Sequence, residues 1–159
     1  NTSGLVLCGK SLAGSQGLSK LIHDRAMSKF YRTICIGKID SSATITGSLS
    51  MDHKKNLVTV SVEGSQIQTA YEPIQSLSGG RYTYLEVDLI TGKTHQIRSH
   101  LAHIGHPIIG DFLYNPDMRF CNRQALHSAA LDFIHPVTKK KMHFASPLPE
   151  DLKCIFHNF

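Results

Sequence analysis

The sequence has 159 residues and a mass of 17.6 kDa, the size of one ordinary domain. Hydrophobic residues make up 41% and charged residues 18%, which provides for a packed core and excludes a disordered chain. No apolar run approaches the roughly 20 residues of a membrane-spanning helix, and the mean hydropathy is −0.13, so a membrane span is excluded. The net charge is +5 and the pI is near 9.1, which weakly favours a polyanionic partner.

The cysteines indicate the redox compartment of the protein, and the first residues indicate whether the sequence begins at a native N-terminus. Cys8, Cys35, Cys121 and Cys154 form no C-x-x-C pair, so we expect small buried side chains in a reducing compartment. Residues 1–4 lead directly into an apolar run, without an initiator Met or the features of a signal peptide. We therefore expect further residues ahead of Asn1 in the native protein.

Hydrophobic periodicity predicts mostly strands. Strands are predicted at residues 5–8, 30–36, 57–62, 67–74, 82–90, 125–134 and 142–145. Helices are predicted from Leu18 to about Met27, from Thr94 as N-cap to Gly105, and after Pro149 at the end. Residues 41–47 and 106–123 have the character of loops. The fold class is α+β, with residues 1–159 forming one domain around a mixed, largely antiparallel sheet of about six to eight strands flanked by helices.

Residues 91–107 are the densest polar segment and hold four of the ten histidines. On a helix beginning at Thr94, the side chains of His95 and Arg98 lie on adjoining faces. Lys93 and the first-turn N–H groups would face an approaching anion, and the Arg98 guanidinium offers a bidentate fork to a carboxylate or phosphate. The segment therefore predicts an anion-binding site.

Other site types find less support in the sequence. His100, His103 and His106 have spacings found in zinc sites, but the segment holds no cysteine or acidic ligand, so a structural role is favoured for each. The chain has no P-loop, G-x-S-x-G or G-x-G-x-x-G motif. The lysines at 139–141 are more typical of a solvated turn than of a phosphate-binding patch.

These residues closely resemble a known family. The run Thr-Gly-Lys-Thr-His-Gln-Ile-Arg at 91–98, followed by Leu-Ala-His-Ile-Gly-His-Pro-Ile-Ile-Gly-Asp at 101–111, resembles the signature of the RluA-type pseudouridine synthases. Residues 29–31 look like the K-x-Y strand of that family, and residues 125–138 and 144–149 look like its later blocks. Residues 1–5 look like the end of its H-R-L-D-x-x-T-S-G-L motif.

The resemblance implies an enzyme that isomerises uridine to pseudouridine in RNA without a metal or organic cofactor. The essential Asp of H-R-L-D would stand two residues before Asn1, so the N-terminal part of the catalytic domain would be missing from the 159 residues. Tyr31 matches the active-site tyrosine beside the target base, and Arg98 matches the basic residue that pairs with the catalytic carboxylate. RNA contacts are expected from Thr2, Lys29, Lys93, Thr94, His95, Gln96 and His106.

Two further expectations follow from the resemblance. Ribosomal RNA is the expected partner, with transfer RNA as a second possibility, in the cytoplasm and without an obligate protein partner. Arg98 is expected to lack its carboxylate in these 159 residues, with water or a small anion in the gap. The alternatives are an inactive RNA-binding fragment and, with less support, a histidine-rich metal-dependent hydrolase.

Overall fold

The computed structural model describes residues 1–52, 57–61, 66–115 and 118–156. Eight strands in these ranges form one sheet: β1 Ser3–Gly4, β2 Met27–Ile36, β3 Ala43–Asp52, β4 Leu57–Ser61, β5 Ile67–Leu77, β6 Tyr82–Asp88, β7 Leu126–Ile134 and β8 Lys141–Ala145. The order is β1-β7-β2-β6-β5-β3-β4, and β8 also pairs with β7. Every pair is antiparallel except the short parallel pair β1–β7. The predicted fold class is confirmed.

Within the described residues, three α-helices accompany the sheet: α1 Leu12–His23, α2 Gln96–His103 and α3 Glu150–Phe156. Helix α2 ends as predicted before Gly105, whose φ of +84° suits a residue without Cβ. Its start differs from the prediction, because the N-cap is His95 rather than Thr94. The side-chain Oε1 of Gln96 accepts the backbone N–H of Lys93 at 3.1 Å, so Gln96 closes this turn and no Thr94 cap forms. No helix in the described ranges is long and apolar enough to cross a membrane.

The main core lies where the central strands meet α2 and α3. Ile34 on β2 and Leu85 and Val87 on β6 are at most 2% exposed, and Leu101 of α2 is fully buried among them. Burying each such side chain stabilises the fold by about 1.5–3 kcal/mol. A smaller cluster of Met27, Leu131 and Phe133, with Leu18 and Leu21 packed against it, holds α1 to the sheet.

The strand predicted at residues 5–8 is wrong. Parallel pairing with β7 stops at Gly4↔Ser128, and β8 occupies the same edge of β7 from Ala130 onwards. The chain therefore leaves the sheet after Leu5, and Val6 is 84% exposed.

The loop predicted at residues 41–47 is also wrong, because most of it belongs to β3. Thr44, Ile45 and Thr46 are β-branched and pair with β5, with Ile45 pointing inward. The prediction of buried cysteines holds for Cys35 and Cys121, whereas Cys8 and Cys154 are exposed.

The irregular stretch predicted at 106–123 brings a distant part of the chain back to the sheet. Ile108 forms an isolated bridge with Cys35, and the Ile109 N–H donates to the Ile34 carbonyl at 3.1 Å. Gly110 follows with φ +70°, and a Cβ there would collide with the Arg123 carbonyl oxygen. This turn places Asp111 beneath helix α2.

Candidate active site

A cleft of about 450 Å³ opens where β2, the start of α2 and the N-terminus meet. We define the cleft by its lining residues, which are Asn1, Thr2, Tyr31, Leu89, Lys93, His95, Gln96, Ile97, Arg98, Gln124 and Leu126. The predicted pair Tyr31 and Arg98 thus shares one cavity with the first two residues of the chain. This is the juxtaposition on which the sequence interpretation depends.

The N-terminal residues are held at the cleft by several contacts. The Leu5 N–H donates to the Ser128 carbonyl at 3.0 Å, and Gly4 has φ +106°. A Cβ at Gly4 would collide with the same carbonyl, so glycine is needed for β1 to reach β7. Arg123 donates to the Asn1 carbonyl at 3.2 Å while it forms two hydrogen bonds with Asp151.

Tyr31 enters the cleft from β2, immediately after an irregularity in its pairing with β7. Strand β6 pairs normally on the other side, where Tyr31 faces Val87. Burial raises the pKa of the Tyr31 phenol above its ordinary value, and a hydrogen bond with Ser128 opposes part of that rise. The ring is therefore neutral at physiological pH and offers a flat, partly buried face.

Arg98 has a buried partner that corrects the sequence expectation. Its Nε donates to Asp111 Oδ2 and its Nη2 to Asp111 Oδ1, both at 2.6 Å. Arg98 is 6% exposed and Asp111 is fully buried. The expectation that Arg98 lacks a carboxylate in these 159 residues, with water or a small anion in the gap, is therefore wrong. Nη1 has no hydrogen-bond partner within the described ranges.

His95 and Tyr114 form the wall beside this ion pair. His95 Nδ1 lies 3.3 Å from Tyr114 Oη, and the Arg98 guanidinium lies 5.1 Å from the Tyr114 ring centre. Burial and the nearby Arg98 charge lower the pKa of His95, with Asp111 acting in the opposite direction. His95 is therefore neutral at pH 7. Its backbone adopts the left-handed conformation, with φ +56°. A non-glycine residue in this conformation costs about 1–3 kcal/mol, and such residues cluster at functional sites.

A buried hydrogen-bond network fixes the start of α2 from below. The Thr91 hydroxyl donates to Gln96 Oε1 at 2.9 Å, and Gln96 Nε2 donates to the Gln68 carbonyl at 2.9 Å and to Thr69 Oγ1 at 3.0 Å. Thr69 Oγ1 also lies 3.0 Å from His100 Nδ1. The Gln96 amide is buried and partnered at both Oε1 and Nε2, so this network ties α2 to β5. Among the described residues, His100 Nε2 is buried without a hydrogen-bond partner.

The structure separates the predicted RNA contacts into two groups. Thr2, Lys93, His95 and Gln96 line the cleft, whereas Lys29, Thr94 and His106 do not. His106 Nδ1 is 2.8 Å from the Ile36 carbonyl. Burial lowers the pKa of Lys29, with Asp88 opposing this effect. The roles assigned to all seven residues, and to Tyr31 and Arg98, remain predictions.

Sequence reasoning did not assign roles to Asp111, Tyr114 or Gln124. Asp111 had a usable signal, because an arginine on a buried helix face requires an anionic partner. Tyr114 and Gln124 lie in or beside an irregular segment whose path no periodicity reveals. Within the described ranges, no three His, Cys, Asp or Glu side chains are grouped as metal ligands.

Comparisons with known proteins identify the family of the chain. A model of the family described as RNA pseudouridylate synthase matches residues 1–103. An RNA pseudouridine synthase of Chloroflexus aurantiacus is 35% identical over 158 residues, which cover 98% of this chain and 49% of that protein. Ribosomal large subunit pseudouridine synthase D of Pseudomonas aeruginosa is 32% identical over 166 residues, covering 95% of this chain and 51% of that protein.

A solved structure shares the fold. Human RNA Pseudouridylate Synthase Domain Containing 1 superposes with a TM-score of 0.77 at 21% identity, over 92% of this chain and 66% of that one. The sheet and the family match together define a pseudouridine synthase fold. The chain belongs to the RNA pseudouridylate synthase family, and its resemblance to the RluA type is confirmed. It spans about half the length of the curated relatives it matches.

Proposed function

We propose that the full-length protein isomerises uridine to pseudouridine in structured RNA, and that the cleft holds the reacting nucleotide. The observation that carries this proposal is the meeting of Tyr31 and Arg98 with the N-terminal residues in one cavity. Family membership supports the same reaction. It argues against the metal-dependent hydrolase.

We also propose that the catalytic aspartate stands two residues before Asn1, at the end of an H-R-L-D segment. A carboxylate there would approach the cleft from the side lined by Asn1 and Thr2. Arg98 keeps Nη1 for it, because Asp111 engages only Nε and Nη2. A guanidinium within hydrogen-bond distance keeps a carboxylate ionised and thus able to act as nucleophile or base. Asp111 would then position Arg98 for this contact.

The isomerisation needs few further groups from the protein. The bond between uracil N1 and ribose C1′ breaks, a bond between C5 and C1′ forms, the C5 proton is lost and N1 gains a proton. Substrate and product have the same composition, so the reaction requires no oxidant, reductant or group donor, and we propose that it proceeds without metal or organic cofactor. The cleft must hold the detached uracil in place, which an aromatic wall at Tyr31 favours.

The proposed binding partner of the protein is RNA. A uridine stacked in folded RNA must be flipped out before its base can reach Tyr31, and an aromatic ring receives such a base well. Lys93 and the other cations would contact phosphates, with an affinity that falls as salt rises. Relatives carry the name ribosomal large subunit pseudouridine synthase, so ribosomal RNA is the first candidate and transfer RNA the second. We place the protein in the cytoplasm without an obligate protein partner.

Tritium release from RNA that contains 5-tritiated uridine tests the proposal, because isomerisation frees the C5 hydrogen. We define the extended chain as the 159 residues continued upstream through H-R-L-D. The extended chain should release tritium, whereas its Asp→Asn variant and the 159 residues alone should release none. RNA binding without release by the 159 residues would match the inactive-fragment alternative for those residues. Absence of release from ribosomal and transfer RNA by the extended chain would contradict the proposed function.

A further inference from the structure

A second cavity of about 310 Å³ lies next to the cleft, under the β3–β4 hairpin. Its lining residues are Leu49, Met51, Val58, Ile67, Lys93 and Thr94. Val58 and Ile67 form a buried floor at 3% and 2% exposure, while Met51 is 39% exposed at the rim. The cavity therefore combines aliphatic side chains with the polar residues Lys93 and Thr94 and is open to solvent.

Lys93 borders both the cleft and the second cavity. Its backbone is fixed, because the Lys93 N–H donates to Gln96 Oε1 and the Gln96 N–H donates to the Lys93 carbonyl at 3.1 Å. Its side chain is exposed. Lys93 thus stands at the boundary of the two cavities, with an exposed side chain that can reach a phosphate there.

Tyr114 holds the walls of the two cavities in a fixed relation. Its hydroxyl accepts the backbone N–H of Val58, from the floor of the second cavity, at 2.9 Å. The same hydroxyl lies 3.3 Å from His95 Nδ1, in the wall of the cleft. The phenol ring also packs under Arg98, so Tyr114 links the backbone of Val58 to His95 and Arg98.

We propose that the second cavity binds the nucleobase adjacent in the strand to the target uridine, with the phosphate that links the two nucleotides at Lys93. This inference rests on the proposed function of the cleft. Consecutive nucleotides present a base, a phosphate and a base, which matches a cleft, a cation and a cavity with aliphatic side chains in the same order. Proteins bind single-stranded nucleic acids with cations along the backbone and side chains, most often aromatic, against the base faces. In the second cavity aliphatic side chains would provide that contact.

The lining also determines how selective this subsite is. Leu49, Met51, Val58 and Ile67 present no hydrogen-bonding side-chain groups, and among the described lining residues Thr94 supplies the one neutral polar side chain. Apolar contact with the face of a base discriminates little between the four bases, because each has a similar face. The subsite therefore requires a neighbouring base without reading its identity strongly.

The test measures RNA affinity of the extended chain, with tritium release followed in parallel. Three otherwise identical RNAs carry an intact sequence, an abasic residue 5′ to the target uridine, or an abasic residue 3′ to it. One of the two abasic RNAs should bind about five- to tenfold more weakly than the intact RNA, from the loss of one base contact. If neither binds more weakly, the inference is overturned. Because the readout is affinity, this result is distinct from a failure of tritium release on intact RNA, which contradicts the proposed function.

A double-mutant comparison assigns the effect to this cavity. Met51→Ser, at an exposed rim position, should weaken binding of intact RNA and bring the ratio between intact and abasic RNA close to one. Val137→Ser is the matched control, because Val137 is 62% exposed and lines neither cavity. It should preserve the full ratio. Retention of the full ratio by Met51→Ser would overturn the inference, as would its loss in Val137→Ser.

Discussion

Arg98 and Asp111 form a buried bidentate ion pair, with both hydrogen bonds at 2.6 Å, between helix α2 and the turn after Gly110. Asp111 Oδ1 also accepts the Leu113 N–H at 3.2 Å, so the carboxylate is held from two sides. A guanidinium that is hydrogen-bonded through both Nε and Nη2 cannot rotate freely. Its Nη1 direction is therefore set before any substrate or upstream carboxylate arrives.

The function of Arg98 is tested by Arg98→Ala in the extended chain. Turnover should fall by about 100-fold or more, as when a preorganised donor is removed from an active site. RNA affinity should fall much less, because Arg98 is paired with the Asp111 carboxylate and its proposed second partner is also a carboxylate rather than a phosphate. Tritium-release kinetics and RNA binding, both measured well below the melting temperature, separate the two effects. A loss confined to binding would contradict this role.

The ion pair also matters for stability. Asp111→Ala leaves a buried, unpaired guanidinium and should lower the free energy of unfolding by about 3–5 kcal/mol. The double variant Arg98→Met with Asp111→Leu removes both charges and should recover most of this loss. Urea unfolding of the three proteins provides the comparison. If the double variant were as unstable as Asp111→Ala, the loss could not be attributed to the unpaired charge.

The ring of Tyr31 should matter more than its hydroxyl. Stacking of one base on an aromatic ring contributes about 1–3 kcal/mol, so Tyr31→Ala should lower kcat/KM by about 5- to 150-fold. Tyr31→Phe keeps the ring and should have a clearly smaller effect. Tritium-release kinetics of both variants in the extended chain measure the difference. Equal losses would assign the function to the hydroxyl instead.

Gly4 should control the position of the N-terminal segment. Gly4→Ala places a Cβ against the Ser128 carbonyl and should separate β1 from β7. Since β1 has only two residues, unfolding free energy should change by about 1 kcal/mol, whereas turnover should fall by up to about 100-fold from misplacement. Gly79→Ala is the matched control, because its φ is +67° but a Cβ there contacts nothing within 4 Å. Similar turnover in the two variants would contradict the positioning role of β1.

His100 should make stability depend on pH. Burial, with a smaller contribution from His103, lowers its pKa from 6.5 to about 4. Between these values the unfolded chain binds the proton and the folded chain does not, so stability is fully present above pH 6.5 and declines towards pH 4. The loss due to His100 should reach about 2 kcal/mol at pH 5.

The control for this titration is His100→Gln, which keeps a polar side chain but has no group that titrates in this range. Urea unfolding at pH 7.5 and pH 5.0 should give a smaller decrease for the variant than for the unchanged protein. An identical decrease in both would show that His100 does not cause the pH dependence.

Sequence patterns predicted most of β2, β6 and β7, the neighbouring strands in the middle of the sheet, but not β3. These strands are rich in β-branched or aromatic side chains, and burial alternates along most of β6, whereas β2 and β7 contain runs of consecutive buried residues. The error at residues 5–8 arose because pairing with β7 is decided by competition with β8, which no local pattern reveals. Apolar composition alone cannot distinguish a paired strand from an exposed connection.

The sequence predicted the part of the candidate site whose residues are close together in the chain. It did not predict the contacts between residues that are distant in sequence. His95, Gln96 and Arg98 fall on one short helix, so their proximity follows from spacing. Asp111 reaches Arg98 only because Gly110 adopts a positive φ within an irregular segment. Electrostatics indicates that a buried arginine has an anionic partner, but hydrophobic periodicity does not show which residue that partner is.

A high-resolution structure of the extended chain tests the central claim most directly, through the distance from the aspartate of H-R-L-D to Arg98 Nη1. We expect a charge-assisted hydrogen bond of about 2.7–2.9 Å, formed inside the cleft beside Tyr31 while Asp111 keeps both of its bonds to Arg98. An aspartate that lies outside the cleft, or that displaces Asp111 from Arg98, would contradict the account.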